Sequence, residues 1–306
     1  MAEAALLSII MPEKENSFSS ENPLEHVEAV ALRARRFSSP CADGELSWHC
    51  WGSGPPVVLL HGGTGSWMHW IRNVLPLAGS RSVWVPDMPG FGDSAAPRKG
   101  SGVAEIAGIV AEGIALLAKG PVELVGFSFG GLVAGNLAAA RPELVSRLVL
   151  VGSGGLGLRD GKRLPLVAWR HLKDDTGRMA AHRHNLAGLM LWDEAKIDAL
   201  ALHIQSQNAQ RSRINSGPFS RGDVLLEPLG RVKTPVCGLW GRHDTTVAGR
   251  MEEVGPILRQ TDPVATFTVI EDAGHWVPYE QPGAFNQALL GVLSAVPNGR
   301  AGSHRE

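Results

Sequence analysis

The chain is short of cysteine, of tyrosine and of net charge. Its 306 residues include three cysteines and one tyrosine, and the formal charge is −1. Cys41, Cys50 and Cys237 are too few and too dispersed for a disulfide framework or a zinc site, and read as reduced thiols. Lys and Arg are scattered and balanced by Asp and Glu, which excludes the basic surface that nucleic acid or an anionic membrane requires. The apolar run from Ala4 to Met11 is too short to span a bilayer. Glu3 precedes it, and the basic segment of a secretory leader is missing. Residues 1–25 read as a loose arm and the tail from Asn298 as disordered. The expectation is a soluble, cytoplasmic protein whose partner is a small-molecule substrate, with no cofactor and no metal; a homo-oligomer is left open.

Glycine, by contrast, is abundant, at 37 residues. The informative stretch runs from Val122 to Gly131, V-E-L-V-G-F-S-F-G-G. An apolar, β-branched run meets Gly126-Phe127-Ser128-Phe129-Gly130, and a helical pattern follows from Leu132. That spacing predicts strand, sharp turn and helix with a serine at the apex. Such a serine is strained, so small residues two before and two after it must let strand and helix approach. A hydroxyl there faces the free N–H groups and the dipole of a helix start, which favour developing negative charge.

Taken in order, Arg35 to Ser39 and Glu45 to Trp51 predict an antiparallel pair around Ala42-Asp43-Gly44. Pro56 to Leu60 and Ser82 to Pro86 are continuous apolar runs, as expected of strands buried on both faces. Val103 to Ala118 has helical spacing, Val122 to Val125 is the strand before the serine, Leu132 to Ala140 the helix after it, and Arg147 to Val151 a further strand. Between about Leu156 and Glu227 no buried strand run occurs, and polar, Trp and Met residues fall at helical intervals. Alternation resumes with Thr234 to Trp240, Met251 to Leu258, Ala265 to Ile270 and Phe285 to Leu293. These features predict an α/β fold with a mostly parallel eight-stranded sheet, helices on both faces and a helical cap inserted after the sixth strand. The expected division is 1–155 and 228–306 for the core and 156–227 for the cap. The cap would lie over the strand C-terminal ends, where open α/β sheets bind ligands.

A serine hydroxyl needs a base, and the base needs a carboxylate to hold its tautomer. On this plan the order is serine, acid, histidine. The strand from Thr234 ends in Gly241-Arg242-His243-Asp244, and that from Ala265 ends in Glu271-Asp272-Ala273-Gly274-His275. Ser128, Asp244 and His275 are therefore the candidate catalytic set, with Asp272, His61 and His243 as weaker alternatives. The oxyanion hole needs two backbone N–H groups. Phe129 follows the nucleophile, and Gly63 lies in the glycine loop His61-Gly62-Gly63-Thr64-Gly65. Gly62, His69, Trp67, Trp70, Met190, Trp192, Gln205 and Trp276 are candidate substrate contacts, and Trp169 is a further aromatic at the expected pocket. Two motifs mislead. Gly152-Ser153-Gly154-Gly155-Leu156-Gly157 has dinucleotide-site spacing but opens the insertion rather than a βαβ unit. His182-Arg183-His184 lacks a third ligand at metal spacing and reads as a solvated helix face.

Over residues 30–296 the chain resembles the α/β-hydrolase family. The resemblance rests on H-G-G-T-G at 61–65, D-M-P-G-F-G-D-S at 87–94, G-F-S-F-G-G at 126–131, G-R-H-D at 241–244 and D-A-G-H-W at 272–276. G-S-G-G-L-G at 152–157 and G-H-W-V-P-Y-E-Q-P-G-A-F-N at 274–286 are most similar to meta-cleavage-product hydrolases, which cut carbon–carbon bonds of vinylogous diketo acids, and to related monoester hydrolases. The resemblance implies an arginine on a cap helix and an asparagine near the oxyanion loop; Gln205 and His69 stand at those positions, and Arg211 or Arg213 is the nearest replacement cation. Ester hydrolysis through Ser128 is the leading expectation. The alternatives are C–C bond hydrolysis of a 2-hydroxy-6-oxo-dienoate and, in another class, a receptor that keeps the hydrolase plan. Haloalkane dehalogenase and epoxide hydrolase readings fail because both require an aspartate at position 128.

Overall fold

A computed structural model of the chain describes residues 22–158, 166–247 and 249–295. The run Ala4 to Met11, most of the expected arm and the C-terminal tail lie outside those residues. Eight strands form one sheet: β1 (Arg35–Cys41), β2 (Gly44–Trp51), β3 (Pro56–Leu60), β4 (Ser82–Pro86), β5 (Val122–Phe127), β6 (Val145–Val151), β7 (Val236–Gly241) and β8 (Thr266–Ile270). Their spatial order is β1-β2-β4-β3-β5-β6-β7-β8. β2 runs antiparallel to both its neighbours, and every pairing from β4 to β8 is parallel. This is the alpha/beta fold that the alternation of runs predicts.

Successive residues of the central strands supply opposite faces. Val58, Leu60, Leu124, Leu148 and Leu150 point into one apolar layer, and Val57, Leu59, Val125, Val149 and Val151 into the other. The period-two geometry of a strand sends alternate side chains to opposite sides, so a sheet covered on both faces needs continuous apolar runs. The helices that cover it are α1 (Pro23–Ala31), α2 (Val74–Ala78), α3 (Val103–Leu117), α4 (Phe129–Ala140), α8 (Met251–Thr261), α9 (Val277–Glu280) and α10 (Pro282–Ser294). Of these, α4 is buried along most of its length because it packs on β3, β5 and β6 and against α3.

α1 begins inside the stretch expected to be a loose arm. Asn22 caps it through a side-chain acceptor for the Leu24 N–H, and Pro23 occupies the first turn, where its missing N–H costs nothing. Val30 is then buried, and its carbonyl accepts the Trp51 indole N–H at 2.9 Å. Between β6 and β7 the described residues form no strand. They contain α5 (Asp175–Asn185), a π-helical turn (Leu186–Met190), α6 (Ala199–Arg211) and α7 (Leu226–Arg231). α7 packs on α4. The three cysteines are buried and unpaired.

Leu124 lies at the centre of this arrangement and is fully buried. Replacing it with Ala removes the transfer free energy of the lost atoms and leaves a void that the sheet cannot close. Leu124→Ala is expected to lower unfolding free energy by about 2–5 kcal/mol, read from the denaturant midpoint at unchanged m-value.

Candidate active site

β5 ends at Phe127 and α4 starts at Phe129, leaving Ser128 alone in the turn at φ 53° and ψ −115°. A non-glycine residue in that region is strained and persists only where its surroundings over-determine it. They do so through backbone contact. A Cβ on Gly126 would stand 2.4 Å from the Gly130 carbonyl oxygen, and one on Gly130 would stand 2.4 Å from that of Leu60. Neither position tolerates a side chain, and the Ser128 N–H is tied to the Val151 carbonyl at 2.8 Å.

The loops after β7 and β8 bring the other two candidates to the serine. His275 Nε2 lies 2.9 Å from Ser128 Oγ, and His275 Nδ1 lies 2.9 Å from Asp244 Oδ2. Asp244 also accepts the Thr246 N–H at 2.7 Å. His275 and Asp244 are 3% and 2% exposed, so their interaction is little weakened by water. A carboxylate on Nδ1 keeps the proton there and turns the Nε2 lone pair to the hydroxyl. The alternatives stand apart from this set. Asp272 is exposed, and its carbonyl accepts from the Gln281 amide. His243 stacks on Trp192 with ring centres 3.9 Å apart. His61 is buried, with Nδ1 against the Gly62 carbonyl and Nε2 accepting the Met88 N–H.

Gly63 and Phe129 both line the cavity at Ser128, and among the described residues neither N–H has a protein acceptor. The Gly62 N–H, in contrast, donates to His69 Nδ1 at 3.2 Å, which favours Gly63 over Gly62 as a donor to the cavity. The same bond assigns the His69 proton to Nε2. Burial, aided by His61 and His275, holds His69 well below the ordinary histidine pKa, so it is a neutral donor.

Two lobes share walls at Gly63, Thr64, Leu189 and Met190, and Ser128 and His275 line the smaller of them. One, of about 250 Å³, is lined by Phe129, the 153–158 loop, Leu189, Met190, Val247 and His275. The other, of about 710 Å³, is lined by His69, Trp169, Met190, Gln205, Arg213 and Asn215 among others. Gly62, His69, Met190 and Gln205 therefore stand where the sequence suggests, as does Trp169. Trp67, Trp70, Trp192 and Trp276 do not. Trp67 packs on His49 and Trp51, and Trp70 on Phe127 and Phe285. Trp276 stacks on Tyr279 and donates to the His69 carbonyl, while Trp192 is half exposed on His243. Trp67, Trp70 and Trp276 belong to the second apolar layer rather than to a cavity wall.

Arg211 pairs with Asp93, and Arg213 donates to the carbonyls of Phe91, Gly92 and Ser94. The loop Gly152 to Gly157, a misleading motif by spacing, forms a wall of the smaller lobe. His182 is not on a solvated face: it is fully buried against Trp169. Spacing also missed Ser216, whose hydroxyl packs on Gly63 so closely that a Cβ there would stand 2.1 Å away. No local pattern marks a contact between such distant segments.

Comparison with known proteins agrees with this fold. Residues 57–288 match the model of the alpha/beta hydrolase family. The 2-hydroxy-6-oxo-6-phenylhexa-2,4-dienoate hydrolase of Burkholderia cepacia is 29% identical over 258 residues, covering 79% of this chain and 89% of that enzyme. Among solved structures, the meta-cleavage product hydrolase from Pseudomonas fluorescens IP01 superposes with a TM-score of 0.68 at 23% identity, over 86% of this chain and 98% of the other. Naproxen esterase from Bacillus subtilis gives 0.69 at 20% identity, over 89% and 96%. No helix among the described residues is long and apolar enough to cross a membrane.

The buried loop histidines make stability pH-dependent. Burial lowers His61 to about 4, so between pH 6.5 and 4 the unfolded chain binds a proton that the folded chain refuses. The contribution is present above 6.5 and is lost as pH falls towards 4. Asp87, raised to about 6 by burial, works in the opposite sense over an overlapping range. The readout is therefore a difference: His61→Gln is expected to lose less stability than the wild type between pH 6.5 and 4 in parallel denaturant titrations.

Proposed function

The chain belongs to the alpha/beta hydrolase family, and from that premise we propose that it is a serine-dependent hydrolase of a small, largely apolar or aromatic carboxylic ester. The observation that carries the reading is His275 Nε2, 2.9 Å from Ser128 Oγ, at a cavity wall that also holds Gly63 and Phe129. Ser128 Oγ attacks the acyl carbon while its proton passes to His275 Nε2. The N–H groups of Gly63 and Phe129 receive the charge that develops on the carbonyl oxygen, where preorganised donors contribute most. Collapse of the tetrahedral species breaks the ester C–O bond, and His275 returns the proton to the departing alcohol. Water, deprotonated by His275, then attacks the acyl-enzyme, and the acid leaves as Ser128 regains its proton. Asp244 orients His275 and stabilises its cationic form in both halves.

Ester cleavage is favoured over C–C cleavage by the chemistry of the larger lobe. Gln205, at the position where the resemblance implies a carboxylate-binding arginine, lines that lobe as a neutral amide. The two cations among the described residues of its lining are engaged by backbone carbonyls, Arg213 by those of the 91–94 loop and Arg170 by those of Ala209 and Ser212. His69 offers a neutral N–H. An uncharged carbonyl or aromatic acyl group suits these partners better than the free carboxylate of a diketo acid. C–C hydrolysis by the same three residues is the second reading, supported by the similarity to the Burkholderia cepacia enzyme.

The test is a steady-state comparison of the wild type and Ser128→Ala on short aryl esters, aromatic monoesters and a 2-hydroxy-6-oxo-dienoate. Ester turnover is expected, falling at least about 10⁴-fold in the variant, with the dienoate colour persisting. Rapid dienoate decay would shift the reading to C–C cleavage, and binding without turnover would shift it to a receptor.

A further inference from the structure

The motif that follows His275 ends in a carboxylate with no part in the chemistry above. Glu280, the last residue of α9, is 1% exposed, and among the described residues it pairs with no cation. Burying a carboxylate is costly unless its lone pairs are filled, and here backbone N–H groups from two distant segments fill them. Oε2 accepts from Gly274 at 2.7 Å, and Oε1 accepts from Asp193 at 2.8 Å and Trp192 at 3.0 Å. Gly274 immediately precedes His275. Trp192 and Asp193 leave the π-helical turn of the inserted helices. On the other flank of His275, the Trp276 N–H donates at 2.7 Å to the carbonyl of Met190, which lines both lobes of the cavity. Both residues beside the base are thus tied to the exit of the insertion. A Cβ on Gly274 would come within 2.8 Å of the Trp192 nitrogen, so the two backbones touch at this point.

We propose that Glu280 is a positioning residue for His275, bridging the loop that carries the base to the exit of the inserted helices, so that placing the base and docking the insertion are one event. The two oxygens of one carboxylate are a fixed distance apart: Oε1 holds Trp192 and Asp193, and Oε2 holds Gly274 while also accepting the Trp192 N–H at 3.2 Å. The separation of Gly274 from Asp193 is set by that rigid unit rather than by flexible side chains. A displacement of about 1 Å at a catalytic group can cost 10²-fold in rate, and the 2.9 Å contact of His275 with Ser128 leaves no slack for one. In Glu280→Gln one oxygen becomes an NH₂ group. An amide oriented to accept from Trp192 and Asp193 then turns its NH₂ towards the Gly274 N–H and pushes on the residue before the base.

The inference rests on the assignment of Ser128 and His275 as nucleophile and base, not on the identity of the substrate. It is tested by the rate at which an aryl fluorophosphonate labels Ser128, which needs an activated serine and no natural substrate, together with kcat and KM on an aryl ester and the thermal midpoint. Glu280→Gln is expected to slow labelling and kcat roughly tenfold to a hundredfold while KM stays within about threefold. Equal labelling rates per folded molecule in the wild type and Glu280→Gln, with only a lower midpoint, would reduce Glu280 to a structural role and overturn the inference. If Glu280→Gln does not fold, Glu280→Asp, which keeps the charge and shortens the reach, carries the same comparison with the same two outcomes. A wild type that is not labelled at all would instead overturn the assignment of the nucleophile, and the inference with it.

Discussion

The backbone contact between the end of β5 and the start of α4 is the constraint on which the rest depends. Gly126 and Gly130 approach so closely that no side chain fits between them, and Ser128 is forced to φ 53°. That conformation costs free energy, which the buried central strands and α4 offset. It leaves the hydroxyl projecting beyond the sheet edge, in front of the free N–H groups of a helix start. Everything else in the site is arranged around that fixed point. Asp244 and His275 follow β7 and β8, neighbours in a parallel sheet whose C-terminal ends lie on the same side as the serine.

What could be read from the chain beforehand follows from this geometry. Strand, turn and helix around Ser128 are local, and their spacing is dictated by backbone sterics. The candidate acid and base are legible through strand ends, because buried runs such as Val236–Gly241 and Thr266–Ile270 end where the loops carrying Asp244 and His275 begin. The pocket walls were not legible in the same way. Trp67, Trp70 and Trp276 share the loops of the site, yet whether an indole faces a cavity or an apolar layer is decided by packing from other segments. Arg213 shows the same limit: its destination is a set of carbonyls far away in the chain. Gly63 could be chosen by motif, but its selection over Gly62 becomes physical only when His69 is seen to occupy the Gly62 N–H.

The helices between β6 and β7 make contacts on both sides of the site. Met190 lines both lobes, Ser216 presses on Gly63, and Ser66 beside the 61–65 loop donates to Asn208 of α6 at 2.6 Å. Asp198, which caps α6, also receives the Tyr279 hydroxyl at 2.5 Å and pairs with Arg72. These contacts join the helices between β6 and β7 to both the 61–65 loop and the segment after His275. The cavity walls and the contact of His275 with Ser128 therefore share the same supports, and the larger lobe is lined by Gln205 and His69 together with Arg170 and Arg213.

The central claim is that Ser128 becomes acylated. Intact-mass and peptide-level mass spectrometry of the protein, quenched in acid during turnover of a slowly deacylating aryl carbamate, tests it directly. The account predicts one adduct of the carbamoyl mass, located on Ser128 and absent from Ser128→Ala. Turnover without an adduct, or an adduct on another residue such as Ser153, would contradict it.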